Sequence, residues 1–543
     1  MPQVLHTDVA IAGGGIAGIT AALELLDRGL RVTLVERAPR AKFGGLANEA
    51  FGGMLFAGTG LQRLNGIRDS QELFRRDWFH AAEFSAGEIW SKRWAETYIE
   101  RGVPDVYDWL KAQGLAFFPV VHWVERGDFA PGNSLPRYHV VWGTGWHLAQ
   151  TLVAHLLAHP QRKNLSLLFE HRVTDFITAS NGAVTGFFCT HGEKQIAVQA
   201  GATVVAAGGI NGNLEKVREV WDSDCYGPPP SLLLNGSQPE SDGHLHERVA
   251  ALDGSVVRLG QMWNYAAGVR HPEPQFPQHG LSLIPPRSAL WMDCHGRRVG
   301  PDPMISGFDT HRLCQRTGRL PGQYGWLLLN RKILLKEMSI SGSHTNPHFR
   351  DRHIVRALAE VLLGNERQYR YLVDGCPDVV TAATLAELAV KMNAVAGDAV
   401  IDLDGMSADI AAYDGQITRG RTFHDDEQLR RIAQLRQWRG DRARTLPFQK
   451  IIDESAQPLV AIRVMLLSRK SMGGIETDLS SRVLSRTGVP IPGLYAAGEA
   501  CGFGGGGIAG RRSLEGTFLS CAILNARVAA RAIDGAANPL PAA

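Results

Sequence analysis

The sequence predicts an α/β protein in two parts: a doubly wound, mainly parallel-sheet domain assembled from both ends of the chain, and an α+β domain inserted between them. Three observations carry this expectation. The stretch Ala10–Glu36 reads as strand, glycine turn, helix and second strand within about thirty residues. A strand, a glycine cluster and a helix return at Gly493–Arg531. Between them, over residues 266–450, the texture shifts to a Pro-, Gly- and His-rich segment followed by new helices. The expected division is therefore 1–265 and 451–543 for the first domain and 266–450 for the insert. A chain of 543 residues is also longer than one hydrophobic core ordinarily supports.

Taken in order, Val4–Ala12 has the apolar character of a buried strand, and Ile19, Leu23 and Leu26 share one face of a helix that Gly29 stops. Arg31–Glu36 alternates like a strand. In this βαβ setting Gly13 permits a tight turn, Gly15 lets backbone approach a pyrophosphate, and Gly18 lets helix pack on strand. The helix N-terminus is a ready anion site, and Glu36, about 20 residues further on, is placed for ribose hydroxyls. A bound dinucleotide is the expectation.

Two diglycines, Gly44-Gly45 and Gly52-Gly53, suggest either a loop lying along that ligand or a pair of structural turns. Residues 70–113 read as helical with aromatic stripes, Trp78, Phe79, Trp90, Trp94, Tyr98 and Trp109, most of them expected in the core, whereas residues 117–142 are broken by Pro and Gly and carry Trp123, Arg126, Arg137, Tyr138, His139 and Trp142. That aromatic stretch reads as a substrate-side loop. A helix is expected over 143–159, strands over 165–169, 186–190 and 203–207, and the last runs into Gly208-Gly209, a second place for backbone to meet the ligand. Helices follow over 241–254, 351–363 and 385–396, the last with Thr384 and Glu387 as a capping box and Gly397 as its stop.

Composition excludes several classes. A net charge of +3 with 20% charged residues argues against a nucleic-acid surface. Seven cysteines without a CxxC pair read as reduced thiols, and no metal site is expected. Neither a signal peptide nor a membrane-spanning apolar run is visible, so a cytoplasmic location is expected, with peripheral membrane contact left open.

The motifs GGGIAG (13–18), the paired diglycines, VVAAGG (204–209), KSMGGIETD (470–478) and LYAAGEACGFGGGG (494–507) together resemble the superfamily of FAD-dependent fumarate reductases, succinate dehydrogenase flavoproteins and 3-ketosteroid dehydrogenases. The resemblance covers nearly the whole chain. It implies a Rossmann-type FAD-binding domain built from both chain ends and capped by the inserted α+β domain, and it implies FAD contacts at Gly13, Gly15, Ile16, Ala17, Gly18, Glu36, Arg37, Gly44, Gly45, Leu46, Ala47, Gly52, Gly53, Val173, Ala207, Gly208, Gly209, Gly498, Glu499, Ser513 and Leu514. Glu499 would hold a ribityl hydroxyl. Ser513 reads as the N-cap of a final helix with Leu514, Phe518, Ala522 and Ala526 on its apolar face. The segment 40–45 lacks the His that members with covalent flavin carry, so FAD is expected to be non-covalent; without a CxxCH haem motif, electrons are expected to pass to or from a diffusible partner.

The family moves a hydride between flavin N5 and a carbon next to an activated carbon, while a side chain handles the second proton. By resemblance, Lys470 stands where soluble fumarate reductases have a carboxylate-binding His, and Ser513 stands where the branches have an Arg or a Tyr. Candidate replacements are Lys470 and Arg512, which flank the flavin motifs, together with Tyr138 and His139, Trp263, Tyr265 and His344; among Arg287, Arg297, Arg298, Arg312 and Arg331 no proton-delivering arginine is singled out. The expected activity is dehydrogenation or reduction at a CH–CH bond next to a carbonyl, on a hydrophobic, steroid-like ketone. The alternatives are an enoate reductase with Lys470 and Arg512 as carboxylate clamps, and a protein whose flavin is structural or regulatory.

Overall fold

The run Val9–Ala12 is fully buried, as a strand covered on both faces must be. In the computed structural model, which describes residues 3–397 and 400–535, the strand Gln3–Ala12 lies between Val32–Val35 and Lys194–Val205, parallel to both. Leu165–Leu168 and Pro490–Ala496 extend the parallel sheet on either side. The short strand Arg482–Leu484 adds antiparallel to Pro490–Ala496, and an antiparallel ribbon of Arg172–Thr178 and Val184–His191 joins through Lys194–Val205.

Helix Ile16–Asp27 is buried at every position from Ile16 to Leu26, because the sheet covers one side and helix Phe518–Asp534 another. The glycines make this approach feasible. A Cβ on Gly13, whose φ is 114°, would lie 2.3 Å from the Ala206 carbonyl oxygen, and one on Gly18 would lie 2.0 Å from the Gly13 carbonyl oxygen. A Cβ on Gly498 would come within 2.8 Å of Ala17 Cβ. Where the two helices meet, Arg527 Nε donates to Glu24 Oε1 at 2.6 Å, with both side chains at least nine-tenths buried.

The chain divides into two compact units, one of Met1–Val220, Ser237–Trp263 and Arg469–Ala543, the other of Trp221–Gly236 and Asn264–Ser468. The second unit is built on a mainly antiparallel sheet in the order Leu290–Met292, Tyr324–Asn330, Leu459–Ser471, Met262–Arg270, Gly280–Ile284 and Ser339–Ile340. These bounds differ from the sequence division at two places. Residues 459–465 pair along the whole of Tyr324–Asn330, which draws the apolar run before the KSMGG motif into the second sheet. Leu234–Asn235 pairs with Leu467–Ser468, which draws in Trp221–Gly236. Helices Leu403–Arg419 and Glu427–Leu435 were not foreseen. Helix Leu385–Ala396 is capped by the Thr384 side chain accepting from the Glu387 N–H, but Glu387 reaches the Ala383 N–H instead of closing a full box.

Two other local expectations need correction. Arg137 and His139 do not belong to an open substrate loop. Arg137 is buried against Asp69 and Asp77 at 2.7 and 2.6 Å, and His139 is buried between Thr59 Oγ1 and the Arg137 carbonyl, with its imidazole brought down to about 4 by burial. The last helix begins at Phe518 after Thr517, not at 514, because Gly516 takes a φ of 107° and turns the chain first. Ser513 is therefore not its N-cap; its hydroxyl meets Thr517 Oγ1 at 3.1 Å. Among the described residues, no helix is long and apolar enough to cross a membrane.

Removing one partner of a buried ion pair is costly, and without Glu24 the buried Arg527 keeps only Asp105, 3.8 Å away, as a counter-charge among the described residues. Glu24→Leu is therefore expected to lower the unfolding free energy by about 3 kcal/mol, whereas Glu24→Leu with Arg527→Met is expected to cost less than the sum of the two single changes. Denaturant unfolding of the three variants checks this; additive losses would contradict it.

Candidate active site

Parallel strands deliver their carboxyl-terminal loops to one edge of the sheet, and four such loops converge in the first unit. The turn Gly13–Gly15 follows the first strand, Glu36 the second, Ala206–Gly209 the strand Lys194–Val205, and Gly498–Glu499 the strand Pro490–Ala496. Gly15 precedes helix Ile16–Asp27 without any side-chain cap, and a Cβ built on it would meet no atom within 4 Å. The helix N-terminus thus faces open space, with its first N–H groups uncapped by side chains. The first diglycine lies over this turn: Gly44 N–H donates to the Gly14 carbonyl at 3.0 Å, and a Cβ on Gly45 would sit 3.1 Å from Gly15 Cα. Leu46 and Ala47 continue it in the turn Gly45–Asn48.

Glu36 receives the Gly14 and Ala38 N–H groups at 2.6 and 2.7 Å, which fixes its carboxylate beside the turn. Arg37 is held by Asp242 at 2.7 Å and by the Glu240 carbonyl at 3.0 Å. Val173 packs in the core with Ala10, Ala12 and Val35, and Ala207 lies at the rim of the same cluster. Gly208 has a φ of 77° and backs onto Ser241.

At the fourth loop a polar knot forms that the sequence did not reveal. Ser471 Oγ donates to Asn211 Oδ1 at 2.6 Å and accepts from the Ile210 N–H at 2.9 Å, while the Ser471 N–H donates to Glu499 Oε1 at 2.9 Å. Any side chain at Gly209 would strike both Glu499 Oε1 and Ser471 Oγ at 2.4 Å. Burial pushes the Glu499 carboxyl up to about 7, against the pull of the Ser471 N–H, Lys470 and Arg469. Its Oε2 has no hydrogen-bond partner among the described residues.

Next to this knot lies an aromatic cluster of the same unit. Lys470 Nζ stands 4.2 Å from the Phe518 ring centroid, and the Phe503 and Trp263 rings pack against Phe518 with centroids 5.0 and 6.0 Å away. Trp263 Nε1–H donates to Glu515 Oε2 at 2.6 Å. The Tyr138 ring is seated by the second diglycine and the last loop, since a Cβ on Gly53 or Gly516 would collide with it at 1.8 and 2.9 Å. Gly52 turns with a φ of 88° against the backbone of Thr144 and Gly145. Both Lys470 and Tyr138 feel the Glu515 carboxylate. Burial, opposed by Glu515 and Glu499 and assisted by Arg469, brings the Lys470 ammonium down to about 8. Burial and then Glu515 push the Tyr138 phenol well above its ordinary value. Sequence motifs single out Arg512, Ser513 and Leu514 of that loop as site residues and pass over Glu515; an acid between apolar and glycine residues is the signal that marks it. Leu514 beside it is buried.

The remaining candidates are engaged elsewhere or belong to the second unit. Arg512 is buried and pairs with Glu83 at 3.1 Å. Tyr265 and His344 fall in the second unit, Tyr265 half-buried on Met262–Arg270 and His344 exposed. The five candidate arginines, all in that unit, are each paired with an acid: Arg287 with Asp441, Arg297 with Asp409, Arg298 with Asp426, Arg312 with Asp302 and Arg331 with Glu366. No group of three or more His, Cys, Asp or Glu among the described residues is arranged to hold a metal.

These observations fit an FAD. Open space at Gly15 before an uncapped helix suits a pyrophosphate, Glu36 suits a ribose, and the half-buried Glu499, with one oxygen unpartnered, suits a hydroxyl donor.

A KsdD-like steroid dehydrogenase of Mycobacterium tuberculosis (strain ATCC 25618 / H37Rv) is 37% identical over 548 residues, covering 97% of this chain and 95% of that protein. Among solved structures, the open conformation of a flavocytochrome c3 fumarate reductase superposes with a TM-score of 0.68 at 19% identity, covering 98% of this chain and 78% of that one. The 3-ketosteroid delta1-dehydrogenase of Sterolibacterium denitrificans gives a TM-score of 0.67 at 16% identity, covering 98% of this chain and all of that one (100%). The model of the FAD binding domain matches residues 8–519. The chain belongs to the FAD-binding-domain family, and the resemblance read from its motifs is the correct one.

Proposed function

We propose that the protein is an FAD-dependent oxidoreductase that dehydrogenates a CH–CH bond next to the carbonyl of a hydrophobic, steroid-like ketone. The observation that carries this reading is the gathering of Lys470 on the Phe518 ring, Glu515 on Trp263, and Tyr138 on Gly53 and on Gly516 next to Glu515, one ionisable cluster set among aromatic rings. The relationship to a KsdD-like steroid dehydrogenase over 97% of the chain supports the substrate class.

The turn Gly13–Gly18, Glu36, Gly44–Ala47, Gly208–Gly209 and Gly498–Glu499 would hold the cofactor non-covalently. FAD, when bound, supplies the acceptor for the hydride that leaves the substrate's β-carbon. The protein's own share is the carbonyl and the proton. Tyr138, kept as the phenol by burial and by Glu515, donates a hydrogen bond to the carbonyl oxygen and so acidifies the α-hydrogen. Lys470, with a substantial neutral fraction near pH 8, accepts that hydrogen as a proton. Trp263 fixes Glu515, and Glu515 sets the charge balance between the two. Trp263, Phe503 and Phe518 give the neighbourhood an apolar, aromatic character suited to a fused-ring ketone. A dicarboxylate finds less here, since Arg512 is engaged by Glu83 and Glu515 would repel it. The electrons then leave to a diffusible acceptor.

Two predictions follow from these roles. Gly15→Val places its side chain in open protein space, so the variant is expected to fold with the stability of flavin-stripped wild type yet be purified without flavin; acid precipitation of the wild type is expected to release all of its flavin. Full flavin content in Gly15→Val, or flavin retained in the wild-type pellet, would contradict the placement.

A base must be deprotonated to act, so turnover of a saturated 3-ketosteroid is expected to fall as pH drops through about 8. Lys470→Met is expected to retain flavin and to lose that limb of the profile together with most of its rate. Tyr138→Phe is expected to lower kcat roughly 10²-fold with the limb intact. A wild-type limb that persists in Lys470→Met would reassign the base.

A further inference from the structure

Helix Ile354–Leu363 of the second unit, IVRALAEVLL, turns its apolar residues outward. Ile354, Val355, Leu358, Leu362 and Leu363 are 41, 78, 41, 57 and 85% exposed, and Ala357 is its one buried position. These five are more than a third of the large exposed hydrophobics among the described residues, gathered in ten positions. On a helical projection Ile354, Leu358, Leu362 and Val355 form one continuous arc that Leu363 extends. This arrangement is fixed by polar anchoring on the inner side. Lys336 Nζ donates to the carbonyls of Val361 and Leu362 at 2.9 and 2.7 Å, Asn365 N–H donates to the Leu335 carbonyl at 2.8 Å, and Glu360 is tied to Arg367.

Charge identifies what would cover the face. Around the helix, residues 347–370 carry five arginines and three acids. Each acid is paired with an arginine: Asp351 with Arg350, Glu360 with Arg367, and Glu366 with Arg331 and Arg370. Arg352 and Arg356 are left exposed, one just before the helix and one at the edge of its apolar arc, and neither has an ion-pair partner among the described residues. An apolar arc edged by unpaired arginines complements an anionic bilayer surface, with aliphatic side chains entering the acyl boundary and guanidinium groups meeting phosphate. A second protein copy is a poorer occupant. Ten residues make a helix about 15 Å long and about 10 Å wide, a footprint far below the roughly 800 Å² per partner of a stable protein interface.

We propose that helix Ile354–Leu363 docks the protein on anionic lipid bilayers, lying in the interface plane without crossing it. The inference concerns binding and does not depend on the reaction assigned above.

The test is flotation of the full-length flavoprotein with vesicles of phosphatidylcholine, alone or mixed with phosphatidylglycerol. Wild type is expected to float with the mixed vesicles and much less with phosphatidylcholine alone. Val355→Asp with Leu363→Asp alters two side chains that face solvent, and is expected to weaken partition at least about tenfold with flavin content and thermal unfolding unchanged. Arg352→Gln with Arg356→Gln is expected to erase the preference for phosphatidylglycerol. The proposal is overturned if wild type stays unbound to the mixed vesicles, if the double Asp variant floats like wild type, or if that variant instead converts a stable dimer to monomer in sedimentation.

Discussion

The register that places Ala12 beside Val205, and Val205 beside Ala496, is the constraint on which the rest of the first unit depends. Three strands drawn from the beginning, the middle and the end of the chain finish level with one another, so their following loops open at one edge. Backbone packing there leaves no tolerance: Gly13 against Ala206, Gly18 against Gly13 and Gly498 against Ala17 all fall at distances no side chain survives. The buried contact of Glu24 with Arg527 locks the two helices that follow the outer members of this trio. Ligand sites in open α/β sheets form beyond the carboxyl ends of the strands, and here that edge gathers the groups suited to FAD.

What the sequence made legible were features whose reason is local. Gly13, Gly15 and Gly18 announce themselves because a strand, a turn and a helix succeed one another within a short stretch, and each glycine answers a backbone demand within that stretch. Lys470 was legible by adjacency to a recognisable motif. Features that depend on distant partners were not. The knot of Asn211, Ser471 and Glu499 joins three loops; Ser471 and Glu499 each stood in a motif, but nothing in either motif pairs them with each other or with Asn211. Glu515 gains meaning only when Trp263 donates to it and when Lys470 and Tyr138 come under its field. Arg137 and His139 misled in the opposite way: polar residues in a Pro- and Gly-broken stretch look exposed, yet Asp69, Asp77 and Thr59 satisfy them in the interior. The division of the chain slipped for a similar reason, since an apolar run such as Leu459–Leu467 fits either sheet until its pairing with Tyr324–Asn330 is seen.

Burial does most of the electrostatic work at the proposed active site. It raises Glu499 and Tyr138 and lowers Lys470, and in each case nearby charges only adjust the result. Groups pushed in opposite directions can take opposite roles at one pH, one donating a hydrogen bond and the other accepting a proton. The cost of keeping them buried is met by the scaffold around them: the aromatic rings of Trp263, Phe503 and Phe518, and the glycines that let Tyr138 settle against Gly53 and Gly516.

The central claim is that this chain takes hydrogen from a ketone's CH–CH bond, and anaerobic mixing tests it most directly. Oxidised holoprotein mixed without oxygen with a saturated 3-ketosteroid is expected to lose its visible flavin band, with the matching unsaturated ketone formed in equal amount. A flavin that stays oxidised with the ketone, yet is reoxidised after chemical reduction by an unsaturated carboxylate, would contradict the account.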